Sequence, residues 1–160
     1  MQLRASPCSS LCMGCLCLLV NVTSLGVPRV RRLCVMHALS TILVVDDEAD
    51  IRTSLRLWFT GLGYEVLTAE HGRDALRQLR ACARLPSLIL LDMMMPIMDG
   101  LSFRWEQLAD PVLATIPVII LSASDYCHAS AAELGAAGSF QKPCPPEQLL
   151  EAVEQLCGHG

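Results

Sequence analysis

Lysine occurs once in these 160 residues, at Lys142, and the first forty residues contain no acid at all. Those forty hold Arg4, Arg29, Arg31 and Arg32, so the remainder carries all 16 acids against 8 bases. A surface this acidic repels phosphate backbones, which argues against direct nucleic-acid binding. No apolar run approaches the ~20 residues of a membrane-spanning helix; the stretch LCMGCLCLLVNV at 11–22 is too short, and no membrane partner is expected. Nine cysteines are an odd number, and no spacing among them suggests a disulfide framework. Cys12 and Cys15 lack the second pair or nearby histidine that a zinc site needs. The four histidines, His37, His71, His128 and His159, form no catalytic set, and there is no internal repeat or low-complexity run. The length suits one domain with a proper core and is too short for two of ordinary size.

Residues 1–40 mix Cys, Ser, Val, Pro and Arg without helical or strand periodicity. They read as a leader foreign to the fold, flexible or mis-started, with Met36 as the candidate true start. An export or membrane signal, suggested by Arg4 ahead of the apolar stretch, and a genuine extension are the alternatives. Asn21-Val-Thr23 fits the glycosylation pattern, which is common by chance.

From Thr41 the pattern becomes regular. Short apolar runs, TILVV (41–45), YEVLTA (64–69), SLILL (87–91), PVIIL (117–121) and AGSFQ (137–141), alternate with amphipathic segments at 50–63, 72–83, 100–109, 126–135 and 145–157. Strands apolar on both faces and joined by helical crossovers predict an α/β fold, a five-stranded parallel sheet covered on both sides. The expected domain is 41–157, followed by a tail at 158–160.

Polar residues then fall at the strand ends: Asp46 and Asp47 after the first, Asp92 after the third, Ser122 after the fourth and Lys142 after the fifth. In an open parallel sheet that edge is where sites form, in the crevice where the winding reverses. Three carboxylates crowded together repel, so such a site calls for a cation, and a hard divalent ion with oxygen ligands, Mg²⁺, suits them. Taken singly, each has a plainer reading. Asp47 would be a helix N-cap, Ser122 a turn residue, and the run Met93, Met94 and Met95 loop and core packing. Asp99-Gly100 makes the turn into the third helix.

The ordered segments ILVVDDE, LILLDMMMPIMDG, VIILSAS and QKP together resemble the receiver domain of bacterial two-component response regulators, across Thr41 to about Cys157. The resemblance implies a doubly wound, flavodoxin-like (βα)5 fold with strand order 2-1-3-4-5. It implies Asp92 as phosphoacceptor, taking a phosphoryl group from a sensor histidine kinase or histidine phosphotransfer protein. Mg²⁺ would be held by Asp47, by Asp46 directly or through water, by Asp92 and by the backbone carbonyl of Met94. Lys142 would pair with Asp92 and then with a phosphoryl oxygen, Ser122 would donate to another, and Lys142-Pro143 would be cis. The protein would then be a cytoplasmic signalling switch, a monomer or weak phosphorylation-dependent dimer, and no enzyme beyond its own phosphorylation and dephosphorylation.

Two departures from the family pattern bear on mechanism. The aromatic residue usual three positions before the lysine is Ser139, and period-two alternation directs Phe140 to the opposite face. Signalling through the 126–135 segment and the fifth strand is therefore expected to be altered or weak. Met94, two residues after Asp92, offers no polar group to align water, which implies a long-lived aspartyl phosphate. It also stands where a dehalogenase-type phosphatase would need a second aspartate, which argues against that class. Only Gly158-His159-Gly160 follow the last helix, so the expected output is an unknown protein partner. A phosphorelay shuttle or phosphate sink and a phosphorylation-independent interaction module are the alternatives.

Overall fold

The computed structural model describes residues 40–123 and 133–157. The elements run β1 (Thr41–Val45), α1 (Ala49–Gly61), β2 (Glu65–Ala69), α2 (Gly72–Ala81), β3 (Leu88–Asp92), α3 (Gly100–Ala109), a short 3₁₀ turn (Leu113–Thr115), β4 (Val118–Ser122), β5 (Gly138–Gln141) and α4 (Pro146–Cys157). Most of the helix expected at 126–135 lies outside the described residues, as do the leader before residue 40 and the tail.

All five strands are parallel, in the order β2-β1-β3-β4-β5. This is the expected doubly wound sheet, and its physical basis is visible along each strand. β1, β3 and β4 are buried from end to end, whereas the edge strands β2 and β5 are partly exposed. Alternation divides the central strands between two cores. Leu43, Val45, Ile89, Leu91, Val118 and Ile120 pack on one face against Ala75, Leu76 and Leu79 of α2 and Phe103 of α3. Ile42, Val44, Leu88, Leu90, Ile119 and Leu121 pack on the other against Phe59 of α1 and Leu149 and Val153 of α4. Each of the larger side chains among these, Val, Leu, Ile and Phe, contributes about 1.5–3 kcal/mol of burial free energy. Phe140 joins the second core, opposite Leu121 across the β4–β5 ladder, as the alternation argument predicts.

Two helix starts are capped by side chains. His71 Nδ1 accepts from the Asp74 amide at 3.0 Å, and Asp99 Oδ1 accepts from the Ser102 amide at 2.7 Å. His71, one of the four histidines that form no catalytic set, supplies an acceptor to an N–H that the helix leaves unpaired.

α3 carries a polar network on its inner side. The Arg104 guanidinium is buried, donating from Nε to the Leu134 carbonyl (3.0 Å), from Nη2 to the Gly135 carbonyl (2.9 Å) and from Nη1 to Gln107 Oε1 (2.8 Å). Gln107 Nε2 in turn donates to the carbonyls of Leu113 (2.9 Å) and Ile116 (3.1 Å). Burial lowers the pKa of Arg104. Gln107→Leu would remove the side-chain donor from the Ile116 carbonyl and the acceptor from one guanidinium arm, while the Leu113 carbonyl keeps the Ile116 amide at 3.1 Å, with an expected loss of about 1–3 kcal/mol in urea unfolding. A change below about 0.5 kcal/mol would show that the network carries no stability.

Candidate functional site

Parallel strands whose winding reverses between β1 and β3 leave a crevice at their C-terminal ends, and the chain places its polar residues there. Asp92 is the last residue of β3 and Ser122 the last of β4; Asp46 follows β1 directly, and Lys142 follows β5. The Lys142 amide donates to the Ser122 carbonyl at 2.8 Å, which extends the β4–β5 pairing to the site itself. Lys142-Pro143 is cis.

Carboxylate oxygens of Asp46, Asp47 and Asp92 all lie within 4.8 Å of one another. Asp46 and Asp92 are buried and Asp47 is exposed. The Lys142 ammonium stands between the buried pair, 2.6 Å from Asp46 Oδ2 and 3.2 Å from Asp92 Oδ1. The closer contact, to Asp46, was not foreseen from the sequence, which suggested only the pairing with Asp92. Asp46 Oδ1 also accepts from the Glu48 amide at 2.8 Å, and Arg52 Nη1 donates to the Asp46 carbonyl at 2.6 Å. The helix-cap reading of Asp47 fails, because Glu48 occupies the α1 cap position and no side chain caps it. Ser122 is fully buried. Met93 and Met95 pack against the core, but Met94 is 72% exposed and does not.

One ammonium lies between two of the three clustered carboxylates, and the charge state reflects the imbalance. Burial pushes the Asp92 carboxyl above the usual carboxylate range, the Asp46 charge adds to this, and Lys142 offsets only part of it. Burial alone would lower the Lys142 pKa, but its bonds to Asp46 and Asp92 outweigh that and raise it. Cys144, next to the Lys142-Pro143 step, is half-buried, and burial raises its thiol pKa, which makes it a packing residue. An all-oxygen set with excess negative charge fits a hard divalent cation.

The backbone leading away from Asp92 is shaped by glycine. The Gly100 amide donates to the Met93 carbonyl at 3.1 Å, and Gly100 lies directly against the Asp92–Met93 backbone.

The family model for the response regulator receiver domain matches residues 42–154. The chain is a receiver domain of the response regulators. Among curated proteins this receiver is 41% identical over 117 residues to the probable transcriptional regulator ycf27 of Pyropia yezoensis, covering 72% of this chain and 46% of that protein. It is 37% identical to the alkaline phosphatase synthesis transcriptional regulatory protein PhoP of Bacillus subtilis, covering 72% and 47%. The chain thus spans about half the length of the curated relatives it matches. Those relatives are named as transcriptional regulators, so they lend no support to the expected absence of a nucleic-acid partner. Among solved structures, a response regulator from Chloroflexus aurantiacus superposes with a TM-score of 0.69 at 29% identity, covering 75% of this receiver and 98% of that chain. The response regulator TrrA of Thermotoga maritima, in complex with Mg²⁺-BeF, gives a TM-score of 0.66 at 30% identity, covering 74% and 99%. No helix among the described residues is long and apolar enough to cross a membrane.

Proposed function

We propose that this receiver is a phosphoacceptor that takes a phosphoryl group onto Asp92 from a histidine kinase or histidine phosphotransfer protein. The observation that carries the reading is the convergence of the Asp46, Asp47 and Asp92 carboxylates within 4.8 Å of one another, with the Lys142 ammonium against Asp46 and Asp92. An Asp92 carboxylate oxygen attacks phosphorus, and the bond from phosphorus to the donor's imidazole nitrogen breaks as the new P–O bond forms. Positioning and charge neutralisation are most of what this transfer asks of a protein. Lys142 supplies one fixed positive charge beside the acceptor, and as a compact ammonium it suits a point contact with one phosphoryl oxygen. Ser122 donates its hydroxyl to a second. Asp46, Asp47, Asp92 and the Met94 carbonyl would hold Mg²⁺. When bound, that cation offsets the charge of the carboxylates and of the incoming phosphoryl oxygens.

The receiver's own chemistry is limited to gaining and losing this phosphoryl group, and its place is the cytoplasm, where it switches an output protein. Ser139 sits on β5 where the family resemblance leads one to expect an aromatic, and Phe140 is committed to the opposite core. That favours, as a second reading, a relay or phosphate sink whose β5 face carries little of the signal. Rapid return of the phosphoryl group to a histidine phosphotransfer protein would select that reading.

The test is intact-mass measurement of the full chain after incubation with acetyl phosphate. One added phosphoryl group is expected with Mg²⁺ present and none with chelator. A folded chain that binds Mg²⁺ yet never gains the mass would rule the proposal out.

A further inference from the structure

Asp46 is held at four of its own atoms. Its amide donates to the Ala69 carbonyl at 3.1 Å, continuing the β1–β2 pairing, and its carboxylate accepts from the Glu48 amide at 2.8 Å and from the Lys142 ammonium at 2.6 Å. The fourth contact comes from a residue outside the cluster. Arg52, one turn into α1 and half-buried, donates from Nη1 to the Asp46 carbonyl at 2.6 Å. Its own amide bonds the Glu48 carbonyl at 3.0 Å, so this one residue holds the β1–α1 turn by main chain and side chain together. No side chain caps α1 to share that task.

Asp47 is in the opposite situation. It is exposed, and among the described residues no hydrogen bond or ion pair holds its carboxylate. The placement of that carboxylate therefore follows from the backbone, through the peptide unit that joins Asp46 to Asp47. A peptide unit is planar, and this one carries the Asp46 carbonyl. With the Asp46 amide held by β2, fixing the carbonyl oxygen fixes the plane, and with it the direction in which Asp47 leaves the strand.

We infer that Arg52 is a positioning residue for the metal site: by holding the Asp46 carbonyl it keeps the Asp46 and Asp47 carboxylates together before any cation arrives. The inference rests on the reading that these two residues hold Mg²⁺. Arg52 acts on a cation in two opposed ways. As a positive charge beside an acidic cluster it opposes a cation's entry. As a clamp on the turn it favours binding, since the two carboxylates need no further ordering, and groups that orient metal ligands commonly change affinity by about 10–100-fold. Solvent screens the half-buried charge, whereas the clamp acts through a direct charge-assisted bond, so the clamp is the larger effect.

Arg52→Met keeps an unbranched apolar stem and removes the donor and the charge together, so the two effects predict opposite signs. Titration calorimetry of the full chain with magnesium chloride, in the absence of any phosphodonor, is expected to give a dissociation constant ~tenfold higher for Arg52→Met than for wild type. Arg52→Lys, which keeps the charge and a donor but loses the planar fork, should fall between the two. In chelator, amide exchange followed by NMR should show the Glu48 N–H, bonded to Asp46 Oδ1, exchanging ~tenfold faster in Arg52→Met when scaled to the Val44 N–H in the middle of β1. Phe59→Leu is the stability control. It loosens α1 in the second core two turns beyond Arg52, and should lower Tm while leaving Mg²⁺ affinity unchanged. Unchanged or tighter Mg²⁺ binding by Arg52→Met overturns the inference, because the bond would then not govern the site. So does an equal loss of affinity in Phe59→Leu, because weakening would then follow stability alone. Neither readout involves phosphoryl transfer, so a wild-type chain that binds Mg²⁺ but gains no phosphate defeats the proposed phosphoacceptor and leaves this inference standing.

Discussion

Asp92→Asn is expected to abolish labelling by acetyl phosphate and, at the same time, to make the metal-free protein more stable. Loss of labelling, by ~100-fold or more, follows from removing the nucleophilic oxygen. The gain in stability follows from the charges. Asp92 is 6% exposed, and burial together with the nearby Asp46 charge raises its pKa in spite of Lys142. Asparagine keeps the shape and an oxygen for Lys142 while removing one of three crowded carboxylates. A gain on the order of 1 kcal/mol, or roughly 4 °C in Tm for a domain of this size, is expected in chelator. The pH dependence has a definite sign. The folded-state pKa of Asp92 lies above its unfolded value, near ~3.9, so the folded protein holds this proton more tightly. The destabilisation is complete above the folded pKa and disappears as pH falls past both values. The Tm difference between variant and wild type should therefore shrink on acidification. A variant several degrees less stable than wild type at pH 7 would mean that the Lys142 attraction outweighs the repulsion, contrary to the charge balance derived for the site.

Gly100→Ala should be among the most damaging single-methyl additions in the domain. A Cβ at Gly100 would meet the Asp92 carbonyl oxygen and, at 2.8 Å, the Met93 Cα, both of them backbone. A flexible side chain could swing aside; a strand end held in a ladder to β4 cannot. The expected cost is ~2–4 kcal/mol, with labelling also reduced because relief of the clash displaces Asp92. Gly61→Ala is the matched control. It lies at the end of α1 with nothing within 4 Å of a new Cβ, and should be neutral or slightly stabilising. Thermal melts of the two variants side by side decide the matter, and equal tolerance would refute the argument from space.

The fold was legible to an unusual degree because the three central strands announce themselves by apolar residues on both faces. TILVV, SLILL and PVIIL are apolar apart from Thr41 and Ser87, are as short as strands, and alternate with amphipathic segments, which a sheet covered on both sides accommodates. Boundaries moved by a residue or two, and the movement matters at Asp92 and Ser122, which end their strands instead of following them. The inner polar pair on α3 was not anticipated. Arg104 and Gln107 sit where helical periodicity places core residues, and nothing local shows that carbonyls of Leu134, Gly135, Leu113 and Ile116 wait there to receive them. His71 was passed over for a similar reason, since a capping role depends on where the helix begins.

What the sequence determined by itself was the alternation of strands and helices, the family, and the set of polar residues delivered to one edge of the sheet, because periodicity and ordered motifs are properties of the chain. Which of those residues touch was decided only in three dimensions. Lys142 lies 96 positions from Asp46, yet stands closer to it than to Asp92. The reason is that strand order, and not chain order, sets the distances: β1 and β3 are neighbours, β5 is at the far edge, and the lysine reaches back across β4 to the charge that best compensates its burial.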